Sequence, residues 1–140
     1  MKATVKWVDN VMFLGESGSG HTAVMDGAPD HGGRNMGIRP MEMLLLGLGG
    51  CASFDVIGIL EKTRQDVSDC RVEISAERAD SVPSVFTKIS MEFIVTGNSL
   101  KEKQVAKAVE LSATKYCSAS KMMEDAGVAL THSYTIIENT

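Results

Sequence analysis

The residues with reactive potential in this chain are its thiols. Cysteines stand at positions 51, 70 and 117, too far apart for a disulfide framework or a Cys-x-x-Cys zinc pattern. Cys51 sits in LGGCASFDV, behind two glycines and inside one of the most apolar stretches of the chain. Cys117 stands where a helical pattern breaks, at the expected start of another helix, whose N-terminal dipole favours a thiolate. Cys70 falls in a strand-like run beside Arg71 and reads as packing. Thiol chemistry runs through the thiolate, and at an ordinary pKa of about 8.5 only a few per cent of a cysteine is ionised at neutral pH. Lowering that pKa to about 6.5 corresponds to roughly 2.7 kcal/mol of differential interaction. An arginine within hydrogen-bond reach can supply it, and a glutamate can hold the guanidinium in place. Glu42, Arg34 and Arg39 all precede Cys51 in the chain. Each of these residues also has a plain reading: a core cysteine, a carboxylate in a first helical turn, two solvated loop charges.

The elements that must position them follow from periodicity. ATVKWV alternates at period two, VDN supplies a turn before VMFLGE, and HTAVMD reads as a third strand after the GESGSG loop. Gly27 to Gly37 has no periodicity and reads as a mobile surface loop. Pro40 then fits a first helical position, with Glu42 in the first turn, and the helix runs to about Thr63. Two strands follow, CRVEISAER and FTKISMEFIVTG, separated by ADSVPS. Asn98 and Ser99 are capping candidates for a helix from Lys101 to about Lys115. A break over Tyr116 to Ser120, a short helix ending at Gly127 and a closing strand, ALTHSYTII, complete an α+β order. MLLLGLGG and FDVIGIL leave almost no polar face, so the long helix must be covered on all sides. Gly47, Cys51, Asp55 and Gly58 form a small-residue stripe suited to close helix approach, which implies a homodimer with these helices at its centre.

Composition sets the outer bounds. The 140 residues fit one domain, 1–140, and 44% hydrophobic with 23% charged residues argues against disorder. A net charge of −4 without a basic run argues against nucleic acid. Met43 to Leu60 is the one candidate membrane span, but Asp55 and four glycines favour a buried helix in a protein that does not enter the membrane. With no leader at Met1, a reducing, cytoplasmic location is expected. His21, His31 and His132 lack ligand spacing, so no metal is expected, and His132 reads as a satisfied core histidine. GESGSG lacks the lysine of a phosphate-binding loop, and no cofactor is expected. The nine methionines sit mostly at apolar positions and read as core filler.

PMEMLLLGLGGCASFDVIGILEKTRQDVSDC and LSATKYCSASKMM together resemble the OsmC family, which includes the organic hydroperoxide resistance proteins. VKWV, FLGES, MDG, FIVTG and THSY resemble its YhfA-type branch in particular. The resemblance covers essentially the whole chain. It implies an OsmC-like intertwined α+β homodimer, with a long central helix packed on antiparallel sheets, and a thiol peroxidase acting on organic hydroperoxides in the response to oxidative stress. It also implies the site. One cysteine lies in the central helix nine residues after a glutamate, places held here by Cys51 and Glu42, and a resolving cysteine begins a C-terminal helix, the place of Cys117. The family's arginine lies in the loop before the glutamate, where Arg39 and Arg34 both fall; Arg39, adjoining the helix start, is the first choice. Ser118 follows Cys117 where the family usually has proline. The implied reductant is a dithiol, such as a lipoylated protein, or a small thiol.

Peroxide reduction then needs one thiolate to attack the O–O bond and a second thiol to trap the sulfenic acid as a disulfide. A second class of function stays open on the same residues: a non-enzymatic small-molecule binding or redox-sensing protein. Helical geometry constrains the site as well. Nine residues at about 100° each turn Glu42 through about 900°, half a turn away from Cys51, and separate the two by about 13.5 Å along the axis. On one straight helix the two side chains do not share a site, so Glu42 is expected to serve the thiol of a second copy.

Overall fold

The computed structural model describes all 140 residues, Met1–Thr140, which form two compact units, Met1–Leu46 and Gly47–Thr140. The first opens with an antiparallel meander of β1 (Ala3–Asp9), β2 (Met12–Ser17) and β3 (Thr22–Met25) in that spatial order. Asn10, at φ 46°, makes the expected turn between β1 and β2, and the Trp7 indole N–H donates to its carbonyl at 2.9 Å. Every residue of β1 is exposed, Trp7 included.

The segment after β3, expected to be a mobile loop, is instead organised around one carboxylate. Asp26 is 1% exposed and accepts backbone N–H bonds from Gly27 at 2.8 Å and from Arg34 and Met36 at 3.1 Å each. A 3-10 turn over Pro29–His31 lies within this loop, and Ile38 bridges back to Met25. Gly33 packs so tightly that a Cβ there would stand 2.0 Å from the Gly27 carbonyl oxygen. Lack of periodicity marked the segment as irregular, but irregular backbone can still be fully hydrogen-bonded when a buried acceptor gathers its N–H groups.

Helix α1 (Pro40–Lys62) starts at the end of the first unit and runs on into the second. There Leu48, Ala52, Val56 and Leu60, at four-residue spacing, are buried to 1% exposure or less. Gly49 lets the helix sit on the sheet: a Cβ there would meet Ile74 Cδ1 at 2.6 Å and Val72 Cγ1 at 3.3 Å. The sheet consists of β4 (Asp66–Arg78), β5 (Phe86–Asn98) and β6 (Ala129–Glu138), with β5 central. Ile89, Met91, Phe93 and Val95 of β5 form the buried face that the alternation indicated. The expected antiparallel pairing holds for β4–β5, whereas β6 lies parallel to β5, because two helices intervene and return the chain to the same end.

Those helices are α2 (Glu102–Leu111) and α3 (Ser118–Asp125), joined by a π-helical turn, Ser112–Tyr116. The α2 start differs from expectation. Lys101 is its N-cap residue without a side-chain cap; Ser99 adopts φ 49°, and Gln65 Oε1 accepts the Lys101 N–H at 2.9 Å. The expectation that α1 is covered on all sides is met on one face only within a single chain. Phe54 is 81% exposed, and Gly47, Gly50 and Gly58 face open space. By length and composition α1 is also apolar enough to span a membrane, as a core helix of this kind often is.

Candidate functional site

Two elements bring the thiols of the second unit together. Cys51 lies in α1 on the turn beside the buried Ala52. The fully buried Ser112, first residue of the π-helical turn, donates its hydroxyl to the Ala52 carbonyl at 3.0 Å. The Ser112 carbonyl in turn accepts the Cys117 N–H at 3.0 Å. This relay ties the turn that ends at Cys117 to the turn of α1 that carries Cys51. The two sulfurs and a carboxylate oxygen of Asp55 all lie within 4.8 Å of one another. Asp55 is four residues after Cys51, one turn further along the same helix face. π-helical turns cost regularity and recur at functional sites, and here the extra residue delivers Cys117 to the cluster.

Cys117 is 3% exposed and is the N-cap of α3, its sulfur accepting the Ser120 N–H at 3.4 Å. The expected lowering of its pKa by the helix start does not win. Burial pushes the thiol up; donors from Ser120 pull it down, and the neighbouring Cys51 pushes it up again, leaving it raised overall. Asp55 is also raised, by burial alone, and its Oδ2 is buried with no hydrogen-bond partner. Cys51 is half-buried. No histidine joins the three side chains, and three donors fall one short of a closed tetrahedral zinc site.

Cys70 stands apart in β4, opposite Val95, with its thiol raised by burial and by the Asp69 charge. His132 lies on the expected half-buried strand face, but it is not satisfied: its Nε2 has no partner, and burial lowers its pKa, with Glu124 acting the other way.

A groove of about 220 Å³ runs past Asp55, lined mainly by Phe54, Gly58, Ile59, Leu111 and Tyr116. A second depression of about 400 Å³ opens over Cys117, and Tyr116 borders both.

In the first unit, Glu42 and Arg39 meet at the start of α1. Glu42 Oε2 accepts the Arg39 backbone N–H at 2.9 Å, a third-position carboxylate closing the helix start. The Arg39 guanidinium donates to the Gly37 carbonyl at 3.1 Å, to the Asp26 carbonyl at 3.4 Å and to Asn35 Oδ1 at 3.0 Å. Arg34 pairs instead with Asp9 at 3.2 Å.

Comparison with known proteins shows the family. Residues 31–133 match the model of the OsmC-like protein family. The chain belongs to the OsmC family. Protein YhfA of Escherichia coli K12 is 51% identical over 140 residues, covering 98% of each chain. A solved structure, that of a hypothetical protein from Aquifex aeolicus, is 27% identical with a TM-score of 0.86 over 99% of this chain and 97% of that one. The organic hydroperoxide resistance protein OsmC from Legionella pneumophila shares the fold at 14% identity, with a TM-score of 0.72 over 96% and 95%.

Of the residues singled out in the sequence, Cys51 and Cys117 come together in the second unit; in the first, Glu42 holds the Arg39 backbone N–H and not its guanidinium, and Arg34 lies on Asp9. Asp55 was read as part of a small-residue stripe and as a charge against a membrane span, not as a site residue. Its signal was available: an acidic residue inside an apolar helical run, four residues from a cysteine.

Proposed function

We propose that this OsmC-family chain is a thiol-dependent peroxidase that reduces organic hydroperoxides in a stress response. The observation that carries the reading is the cluster of Cys51 and Cys117, 66 residues apart in sequence, with sulfurs within 4.8 Å. Cys51, the more exposed of the two, attacks the distal oxygen of ROOH as a thiolate. The O–O bond breaks, the sulfur is oxidised to sulfenic acid, and the alkoxide leaves as ROH after taking a proton. The Cys117 thiolate then attacks the Cys51 sulfur, a disulfide forms, the S–O bond breaks and water departs. Two thiols and ROOH thus yield a disulfide, ROH and H₂O. A dithiol, such as a lipoylated protein, or a small thiol restores the pair. The groove beside Asp55, with Ile59, Leu111 and Tyr116, suits the apolar tail of an organic peroxide.

The active form in this proposal is a cytoplasmic homodimer of single OsmC-like domains. The exposed Phe54 and the open Gly47, Gly50 and Gly58 support a second α1 packing there. Arg39 and Glu42 of one copy then serve Cys51 of the other. The test is cumene hydroperoxide consumption with dithiothreitol. Turnover that is lost in Cys51→Ser is the expected result, and wild-type turnover no greater than that control rejects the enzyme in favour of a redox-sensing or small-molecule binding role.

A further inference from the structure

We propose that Asp55 is the acid–base group for disulfide closure, taking the proton from Cys117 as its sulfur attacks and returning it to the group that leaves Cys51. The inference deepens the peroxidase reading and rests on it for the identity of the leaving group, hydroxide. The geometry is specific. The carboxyl lies within 4.8 Å of both sulfurs, within reach directly or through one water, and its Oδ2 is buried without a partner. A buried carboxyl oxygen with no hydrogen bond is costly, so a group held this way beside two thiols calls for a use. Asp55 pairs with neither a base nor a backbone N–H.

The chemistry needs such a group at this point. Cys117 is buried and its thiol is raised, so spontaneous ionisation at neutral pH is rare. Asp55, raised by burial, holds a proton more readily than an ordinary carboxylate and suits a shuttle. In the step, the carboxylate accepts the Cys117 proton and the thiolate forms the S–S bond with Cys51. The S–O bond breaks, and the departing hydroxide takes the proton from the carboxyl as water. Asp55 ends as it began. The other titratable groups beside it are Lys62 and Tyr116, which line the same groove, together with the two thiols.

The experiment isolates this step from peroxide chemistry. In a Cys70→Ser background, Ellman's reagent loads the more exposed Cys51 as a mixed disulfide, and attack by Cys117 releases the coloured thiolate. With Asp55 as proton acceptor, the closure rate levels off between the pKa of the carboxyl and that of the thiol. In Asp55→Asn the rate should fall about 10²-fold at pH 7 and climb about tenfold per pH unit with no level region. In Asp55→Ala, added acetate should restore part of the rate. A wild-type profile that itself climbs log-linearly from pH 5 to 8 overturns the proposal, as does an Asp55→Asn rate within twofold of wild type. The wild-type profile decides the matter even if neither variant folds. Peroxide consumption is scored separately: its absence with a normal closure profile rejects the peroxidase and leaves the role of Asp55 standing.

Discussion

The Ser112 hydroxyl and the Ala52 carbonyl meet at 3.0 Å across 60 residues of sequence, and this bond sets where Cys117 stands relative to Cys51. Ser112→Ala removes the donor, while the Ala52 carbonyl keeps its place in the helix ladder. The stability loss should be modest, about 1 kcal/mol in urea titration. Disulfide closure should slow by considerably more than that loss suggests, because misplacing a reacting pair by a fraction of an ångström is heavily penalised. Closure at the wild-type rate would show that the bond stabilises without positioning.

Peroxide treatment should link Cys51 to Cys117 and leave Cys70 free. Cys70 is held in β4 away from the pair, with its thiolate disfavoured by burial and by Asp69. Peptide mapping without reduction reads the outcome. A dominant Cys70 linkage, or stable sulfinic acid at Cys51 beside a reduced Cys117, would contradict the assignment of the resolving thiol.

Asp26 makes the first unit acid-sensitive. Burial alone would raise its pKa, but backbone donors from Met36, Gly27 and Arg34, with the Arg34 charge, bring it below the usual value. A depressed carboxyl stabilises the fold above its unfolded pKa of about 3.9 and loses that contribution as pH falls through the lower folded value. Asp26→Asn should lower Tm by several degrees at pH 7, and the difference from wild type should shrink as the pH drops below about 4. An unchanged difference would assign the effect to packing rather than charge.

How far the sequence could be read depended on whether the information was local. α1 was legible from Pro40, Glu42 and its apolar run, and β5 from the alternation of Ile89, Met91, Phe93 and Val95. The parallel placement of β6 was not legible, because register with β5 is set by packing across some 30 residues of intervening chain. Asp26 was missed because its three donors are contributed by a loop with no periodic signal. At the site, type and spacing identified the thiols, but the net effect on Cys117 depended on burial, which a capping position does not reveal. Asp55 went unassigned because its significance lies in lacking a partner, a property only three dimensions disclose.

Arg39, rather than Arg34, should activate Cys51. Arg34 is engaged with Asp9, whereas the Arg39 guanidinium is held by neutral carbonyl oxygens and makes no direct ion pair. Arg39→Met should slow Cys51 alkylation at pH 7 by about tenfold. Asn35→Ala, which removes one of the guanidinium's acceptors, should give a smaller loss. A loss in Arg34→Met alone would reverse the assignment.

Glu42 should act on the thiol of the other copy in the proposed dimer. Its place in α1, nine residues before Cys51, puts it about half a turn round and about 13.5 Å along the axis from that residue. A two-fold axis crossing the open Gly47 and Gly58 side of α1 would carry one copy's helix start towards the other's Cys51. Cys51→Ser and Glu42→Gln should each be inactive alone. After random exchange about half the dimers are mixed, and in each of those one site joins an intact Cys51 to an intact Glu42 from the opposite chain, restoring roughly a quarter of all sites. Were both residues required from the same chain, mixing would restore nothing. Peroxidase activity rising to about a quarter of wild type, with exchange shown independently by mass spectrometry of labelled chains, is the expected result; no recovery under the same exchange would end the assignment.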